Sequence, residues 1–427
     1  MSFELKQGLL LGVSSSAMQI EGGECGHSWN NWYHQGKIKD GSDPARATDH
    51  YNRWQEDADL MAALGIKNYR LSIEWARLCP TEDTVDAAAV AHYREELTYL
   101  RAKGISLLLT IHHFSNPLWF EQKGGFAKAE NIKYYLDLVA LVIRSLGDLV
   151  AAYLTINEPN IYAVNGYYYG SWPPGEKSLG KALTVMANLA LCHIRAYGQI
   201  HKIRREMGYQ NTKVSFANHM RIFEPANPHN PWHRICAFLL EHFFQGAVTE
   251  AFCLGKFSWP LKVSAPPACG GYCDFIALNY YTRSTVSGFR DGVREAAPKN
   301  DLGWEIYPQG LTRCLEKLYR VLQRPIYITE NGTCDNNDAF RCRYIYEHLK
   351  AICLSDLPIE RYYHWCFCDN FELLEGESAR FGLVHIDFES QKRMVKRSGN
   401  FLAEVISAGG VNEKIYEKYV QNQAYHL

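Results

Sequence analysis

No stretch of the chain approaches about 18 uninterrupted apolar residues, the length at which a membrane-spanning helix is read from sequence. Charge of either sign is not in surplus, with 45 Lys and Arg against 46 Asp and Glu. No basic stripe or acidic tail stands out, so neither nucleic acid nor an anionic membrane is an expected partner. A dense cysteine framework is also missing: 13 cysteines, an odd number, are scattered along 427 residues. That is the usage of reduced thiols, and a cytoplasmic location is expected. Cys269 with Cys273, and Cys366 with Cys368, lack a second pair at zinc-finger spacing, so no metal is expected. The opening segment "MSFELKQGLLLGVSSSAMQ" has an acidic residue ahead of its apolar run and no A-x-A site, which reads as a first strand and not as a signal peptide. Low-complexity segments and self-similar repeats of about 20–50 residues are absent.

What is present is aromatic surface: 13% of residues, including 27 Tyr and 10 Trp. Such side chains fill cores, and they also suit flat ligands with apolar faces such as sugar rings. Eight short apolar runs recur along the chain: "LLLGVSSS", "IKNYRLSI", "ISLLLTIHHF", "LVAAYLTIN", "KVSFANHM", "CDFIALNYY", "RPIYITEN" and "RYYHWCFCDN". Several are too continuously apolar for a sheet with one wet face, as expected of parallel strands buried on both sides. Between them lie helical patterns such as "HYNRWQEDADLMAALG", ending in Gly65, and two more that end at Gly104 and Gly147. Alternating strand and helix units predict a parallel α/β fold. Eight strands favour a single (β/α)₈ TIM barrel over residues 1–427, with its active site at the C-terminal ends of the strands. The less regular pieces, about 20–46, 115–130, 165–180, 221–233, 284–304 and 369–398, mostly follow a strand and read as loops on that face. "SGFRDGVREAAPKND" is read the same way, not as a domain boundary.

The strand ends carry the chemistry. The first leads to Gln19 and Glu21, and the second contains Arg70 and ends near Glu74. The third ends in His112-His113, the fourth in Asn157-Glu158, and the sixth in Asn279 with Tyr281. The seventh ends in Glu330-Asn331, and the eighth gives Trp365, then Asp369, Asn370 and Glu372. Glu158 and Glu330 lie 172 residues apart, yet strands four and seven can bring them to one pocket. Two carboxyls about 5–5.5 Å apart fit a retaining glycosidase, and about 6.5–9.5 Å an inverting one; sequence leaves both open. Asn157 is placed to bind a sugar 2-OH. Arg70 and Tyr281 beside Glu330 favour its carboxylate form, as a nucleophile requires, while ionised Glu330 raises the pKa of Glu158. Trp119, Asn165, Tyr168 and Trp172 fall on loops of the same face as candidates for the leaving-group side.

With these residues in order, "QIEGG", "YRLSIEW", "HHFSNPLWF", "TINEPN", "ALNYYTR", "YITENG" and "DNFE…RFGLVHIDF", the chain resembles glycoside hydrolase family 1 over roughly residues 10–400. The resemblance implies a retaining β-glycosidase acting on terminal β-D-glucosyl residues, with Glu158 as acid/base and Glu330 as nucleophile. It further implies that Gln19, His113 and Glu372 hold sugar hydroxyls, that Trp365 stacks on the ring, and that Asn279 lies close to Arg70 and Tyr281. The expected partner is a small β-glycoside or short oligosaccharide, with no cofactor needed beyond two carboxylates and a homo-oligomer left open. One departure stands out: the family usually has Trp after its counterpart of Glu372, and here "FELLEGE" has Leu373. Leu keeps an apolar surface but donates no hydrogen bond, so loosened or shifted discrimination at C3 and C4 is expected. A β-galactosidase, β-fucosidase or broad-specificity enzyme, or a transglycosylase, is the alternative. Glu372 itself disfavours a phosphate or a uronic carboxylate at C6.

Overall fold

The computed structural model describes residues 2–426. Eight parallel strands close into a barrel: β1 (Leu10–Ser14), β2 (Asn68–Ser72), β3 (Ser106–His112), β4 (Ala152–Asn157), β5 (Lys213–His219), β6 (Ile276–Tyr280), β7 (Ile326–Asn331) and β8 (Ile359–Trp365). Each of the eight apolar runs supplies one of them. The ring closes where β8 pairs with β1, from Arg361 opposite Leu10 to Trp365 opposite Ser14. The main crossover helices include α1 (His50–Ala63), α2 (Ala87–Ala102), α3 (Ile132–Leu146), α4 (Leu179–Glu206), α5 (Ala247–Leu254), α6 (Pro308–Leu322), α7 (Arg341–Cys353) and α8 (Arg397–Ala408). Gly65 and Gly104 follow α1 and α2 at φ +73° and +75°, the left-handed stop that glycine permits. Gly147 after α3 differs: it keeps φ −64° and donates to Ile143 O at 2.9 Å. None of the helices among the described residues is long and apolar enough to cross a membrane.

Alternation along the strands separates two cores. Leu109, Tyr153, Val214, Phe216, Ile276, Leu278 and Ile328 join the large shell packed against the helices. Leu108, Leu154, Ala217, Phe275, Ala277, Tyr327 and Tyr363 form their own cluster inside the ring, as the two-residue period of a strand requires. Two residues further along several strands the interior turns polar. Leu108 gives way to Thr110, Ala277 to Asn279 and Tyr327 to Thr329, all fully buried.

Two strands break the alternation just below the pocket. The register of β4 shifts against β5 between Leu154 and Asn157, and that of β7 shifts against β6 between Ile328 and Glu330. Such irregularities re-aim side chains, and here they precede Asn157-Glu158 and Glu330. The loops also hold more structure than expected. Ile222–Pro225, Arg283–Ser287 and Arg290–Gly292 form a three-stranded sheet, and Val384–Asp387 pairs with Lys392–Val395.

Candidate active site

A cavity of about 330 Å³ opens at the C-terminal end of the barrel. Gln19, His113, Glu158, Tyr281, Glu330, Trp365, Glu372 and Leu373 line it. Arg70, Asn157 and Asn279 are fully buried behind that lining and brace it.

Glu158 follows β4 at φ +40°, a left-handed backbone for a side chain that seldom adopts it. Pro159 opens the short helix Pro159–Ala163 immediately after, where a ring-fixed φ suits the first helical turn. The Glu158 N–H donates to Ala217 O at 2.9 Å, tying the turn to β5. Its carboxyl Oε1 accepts from Asn279 Nδ2 at 2.8 Å and lies 3.2 Å from His219 Nδ1. Asn279 is oriented in turn by Thr329 Oγ1, which donates to its Oδ1 at 2.7 Å.

Glu330 has different company. Arg70 pairs with its Oε1, and the Tyr281 hydroxyl donates to its Oε2 at 2.5 Å. Arg70 also donates to Thr110 Oγ1 at 3.2 Å, to Thr329 O at 3.2 Å and to Asn157 Oδ1 at 2.6 Å. Asn157 Nδ2 donates to His113 Nε2 at 3.0 Å, leaving the buried Nδ1 of His113 without a partner. His113 stacks on Trp365 with centroids 5.8 Å apart. Gln19 Nε2 reaches Asn370 Oδ1 and Glu372 Oε2, each at 3.4 Å. Leu373 stands next to Glu372 at φ +54° and presents an apolar side chain to the cavity. One interlocked network therefore connects Arg70, His113, Asn157, Glu158, Asn279, Tyr281, Glu330 and Trp365, drawn from six strands.

The proton balance of the site differs from the sequence expectation. Burial pushes Glu330 up to about 7; Arg70 opposes this, the charge of Glu158 adds to it, and Tyr281 opposes it. Burial also acts to raise Glu158, but the charge and hydrogen bond of His219, then Asn279 and Arg70, hold it below its ordinary value. Glu372 is pushed up to about 8 by burial and by Glu330. His113 is held well below its usual value by burial and by Arg70, so its ring is neutral. The expectation of a low Glu330 and a high Glu158 weighs Arg70 and Tyr281, but neither the burial of Glu330 nor His219, whose ring stands beside Glu158.

His219 is the end of β5, the strand for which no site residue was named. The "HM" that closes "KVSFANHM" was the available signal. Arg221, Thr282, Leu302, Trp304 and Phe381 also line the cavity, and they come from loops where no periodic pattern marks them. Of the loop candidates, Asn165 and Trp172 line the cavity. Trp119 instead packs on Trp75 and Tyr134 and donates to Cys79 O, and Tyr168 stands outside the lining, 45% exposed. His112 is buried against Phe126 and Tyr162. All 13 cysteines are free thiols, and no group of His, Cys, Asp and Glu suited to a metal occurs among the described residues.

The sequence profile of Glycosyl hydrolase family 1 matches residues 1–411. Beta-glucosidase A of Thermotoga maritima is 31% identical, over 95% of this chain and 98% of that protein. A β-glycosidase from Pyrococcus horikoshii superposes with a TM-score of 0.90 at 32% identity, covering 99% of this chain and 100% of the other. The Thermotoga maritima β-glucosidase in complex with glucoimidazole superposes at 0.86 with 30% identity, over 96% of this chain and 100% of the other.

Proposed function

The chain belongs to glycosyl hydrolase family 1 and is a glycoside hydrolase of the β-glucosidase and β-glycosidase class, and on that premise we propose that it removes terminal non-reducing β-D-glucosyl residues with retention of configuration. The observation that carries this reading is the pair Glu158 and Glu330, both lining one cavity but held by different partners. Glu330 is the nucleophile. Its two oxygens face a guanidinium and a phenol, contacts that favour the charged form. Glu158 is the acid/base. It protonates the departing oxygen as the glycosyl–Glu330 ester forms, then deprotonates the water that opens that ester. The two carboxyls share their proton as a coupled pair, and in the working complex we assign it to Glu158, because Glu330 alone has a guanidinium ion pair.

In this reading Gln19, His113 and Glu372 hold the sugar's hydroxyls, and the neutral His113 offers its free Nδ1. Asn157 supports the 2-OH from behind the lining, and Trp365 forms the platform beneath the ring. Asn279 orients the acid/base, and Arg70 with Tyr281 orients the nucleophile. The chain acts as one catalytic unit on a small β-glycoside or short oligosaccharide, and the chemistry calls on no cofactor.

A panel of 4-nitrophenyl β-glycosides differing at C2, C4 and C6 tests the sugar, and the anomer of the first-formed product tests the stereochemistry. The expected result is cleavage of the glucoside with the β anomer appearing first. Formation of the α anomer first would overturn retention. A broader specificity that includes galactosides and fucosides is the second reading. It is favoured by Leu373, which lines the cavity beside Glu372 and has no donor to offer the 3- or 4-OH.

A further inference from the structure

Arg221 is the only Lys or Arg among the described residues that line the cavity. Its backbone is clamped by Gln245, whose Oε1 accepts from Arg221 N and whose Nε2 donates to Arg221 O, both at 3.0 Å. The guanidinium lies over the Phe244 ring at 5.2 Å. Its Nη1 donates to Ser284 Oγ at 3.3 Å, and its Nη2 stands 3.4 Å from His219 Nε2. The other ring nitrogen of His219, Nδ1, faces Glu158 Oε1 at 3.2 Å. Arg221 Nε is buried without a hydrogen-bond partner. Among the described residues the one carboxylate paired with this cation, Asp291, is 3.6 Å from Nη1 and 47% exposed, a loose and solvated contact.

The position of this cation decides what it can recognise. Glu330 and Glu372 crowd the sugar side with carboxyls, whereas Arg221 reaches Glu158 through His219. Glu158 serves the departing oxygen, so Arg221 stands on the leaving-group side. Trp172 and Trp304 line the cavity as well and offer flat apolar surface. We infer that the leaving-group half of the cavity takes a flat aromatic aglycone bearing a carboxylate, with Arg221 as its anchor. This rests on the assignment of Glu158 as acid/base above. The bland alternative is that Arg221 serves only to fix the His219 ring.

Slowly cleaved thioglycosides separate the two, because inhibition constants report binding without leaving-group reactivity. The probes are 4-carboxyphenyl 1-thio-β-D-glucoside and its methyl ester, which differ in charge at nearly the same shape. The unmodified enzyme is expected to bind the acid roughly 10-fold tighter than the ester at low salt, with the preference shrinking as salt is added. Arg221→Gln is expected to lower that acid-to-ester ratio by about 10- to 100-fold, the range for a lost charge-assisted contact, and Arg221→Lys to restore part of it. A ratio that favours the ester in the unmodified enzyme, or one that Arg221→Gln leaves unchanged, overturns the inference. The unmodified enzyme supplies the first of these readings even if a variant does not fold. Failure of the enzyme to cleave any nitrophenyl β-glycoside would overturn the proposed function and this inference together. Cleavage with no acid preference overturns this inference alone.

Discussion

The half of the cavity around Glu330 and the half around Arg221 differ in the parts of the chain that build them. Around Glu330, most side chains come from the strands or the residues directly after them, with Gln19 and Glu372 further into the following loops, and they fasten one another: Arg70 to Glu330 and Asn157, Asn157 to His113, Gln19 to Glu372. The lining beyond this set includes Arg221, Asn165, Trp172, Thr282, Leu302 and Trp304, all from segments between the barrel strands, with Trp304 37% exposed. A set of donors locked before the ligand arrives does not have to reorganise when charge develops. A loop wall can vary without disturbing the barrel. On the proposed reading, the sugar and the nucleophile belong to the first part, and the choice of leaving group to the second.

Substitutions should follow that division. Glu330→Gln, in the locked half, is expected to lower kcat for 4-nitrophenyl β-glucoside by on the order of 10⁴- to 10⁶-fold; a loss of less than about 10-fold would remove Glu330 from the chemistry. Glu158→Gln should cost about 10²- to 10⁴-fold on glycosides with poor leaving groups and much less on the 2,4-dinitrophenyl glycoside, which departs without a proton. Equal losses on both would contradict the acid role.

The same variant carries a pH prediction. The nucleophile must be ionised, so the rate rises with pH through the Glu330 value of about 7, which the charge of Glu158 helps to push up. A neutral amide at 158 removes that contribution. The acidic limb of kcat/KM for the dinitrophenyl substrate should therefore move to lower pH, and a limb that moves upward would refute the coupling.

Leu373→Trp sits at the boundary of the locked half. It should change the ratios of kcat/KM among glucoside, galactoside and fucoside by about 2- to 10-fold, the worth of one neutral hydrogen bond. Unchanged ratios would detach Leu373 from specificity. The smallest effect is expected in the loop wall. Trp172→Ala should raise KM for aryl β-glycosides by roughly 2- to 10-fold and leave alkyl glycosides less affected; an equal rise for both would mean that the indole only packs on Trp29 and Phe114.

The same division governs what could be read in advance. All eight barrel strands were legible because each is a compact apolar run between helical patterns. "TINEPN" and "YITENG" were legible because polar residues end those runs abruptly. The register shifts below Asn157 and Glu330 were not, since an irregularity depends on the neighbouring strand and leaves no local mark. Strict alternation from Tyr327 through Thr329 would have turned Glu330 away from the interior. His219 escaped because a lone histidine at a strand end is ordinary; its meaning comes from Asn279, directly opposite in the register, and from Glu158, which both side chains approach. Arg221 lies just beyond β5 and just before Ile222–Pro225, whose register partners run from Arg283 to Val286, far along the sequence.

The central claim is that Glu330 attacks the sugar and Glu158 does not. Incubation with 2-deoxy-2-fluoro-β-D-glucosyl fluoride, followed by peptide mass analysis, tests it directly. The account predicts inactivation with one fluoroglucosyl group per chain, carried on the peptide containing Tyr327–Asn331 and placed on Glu330. A label on Glu158, or inactivation with Glu330 unmodified, would contradict it.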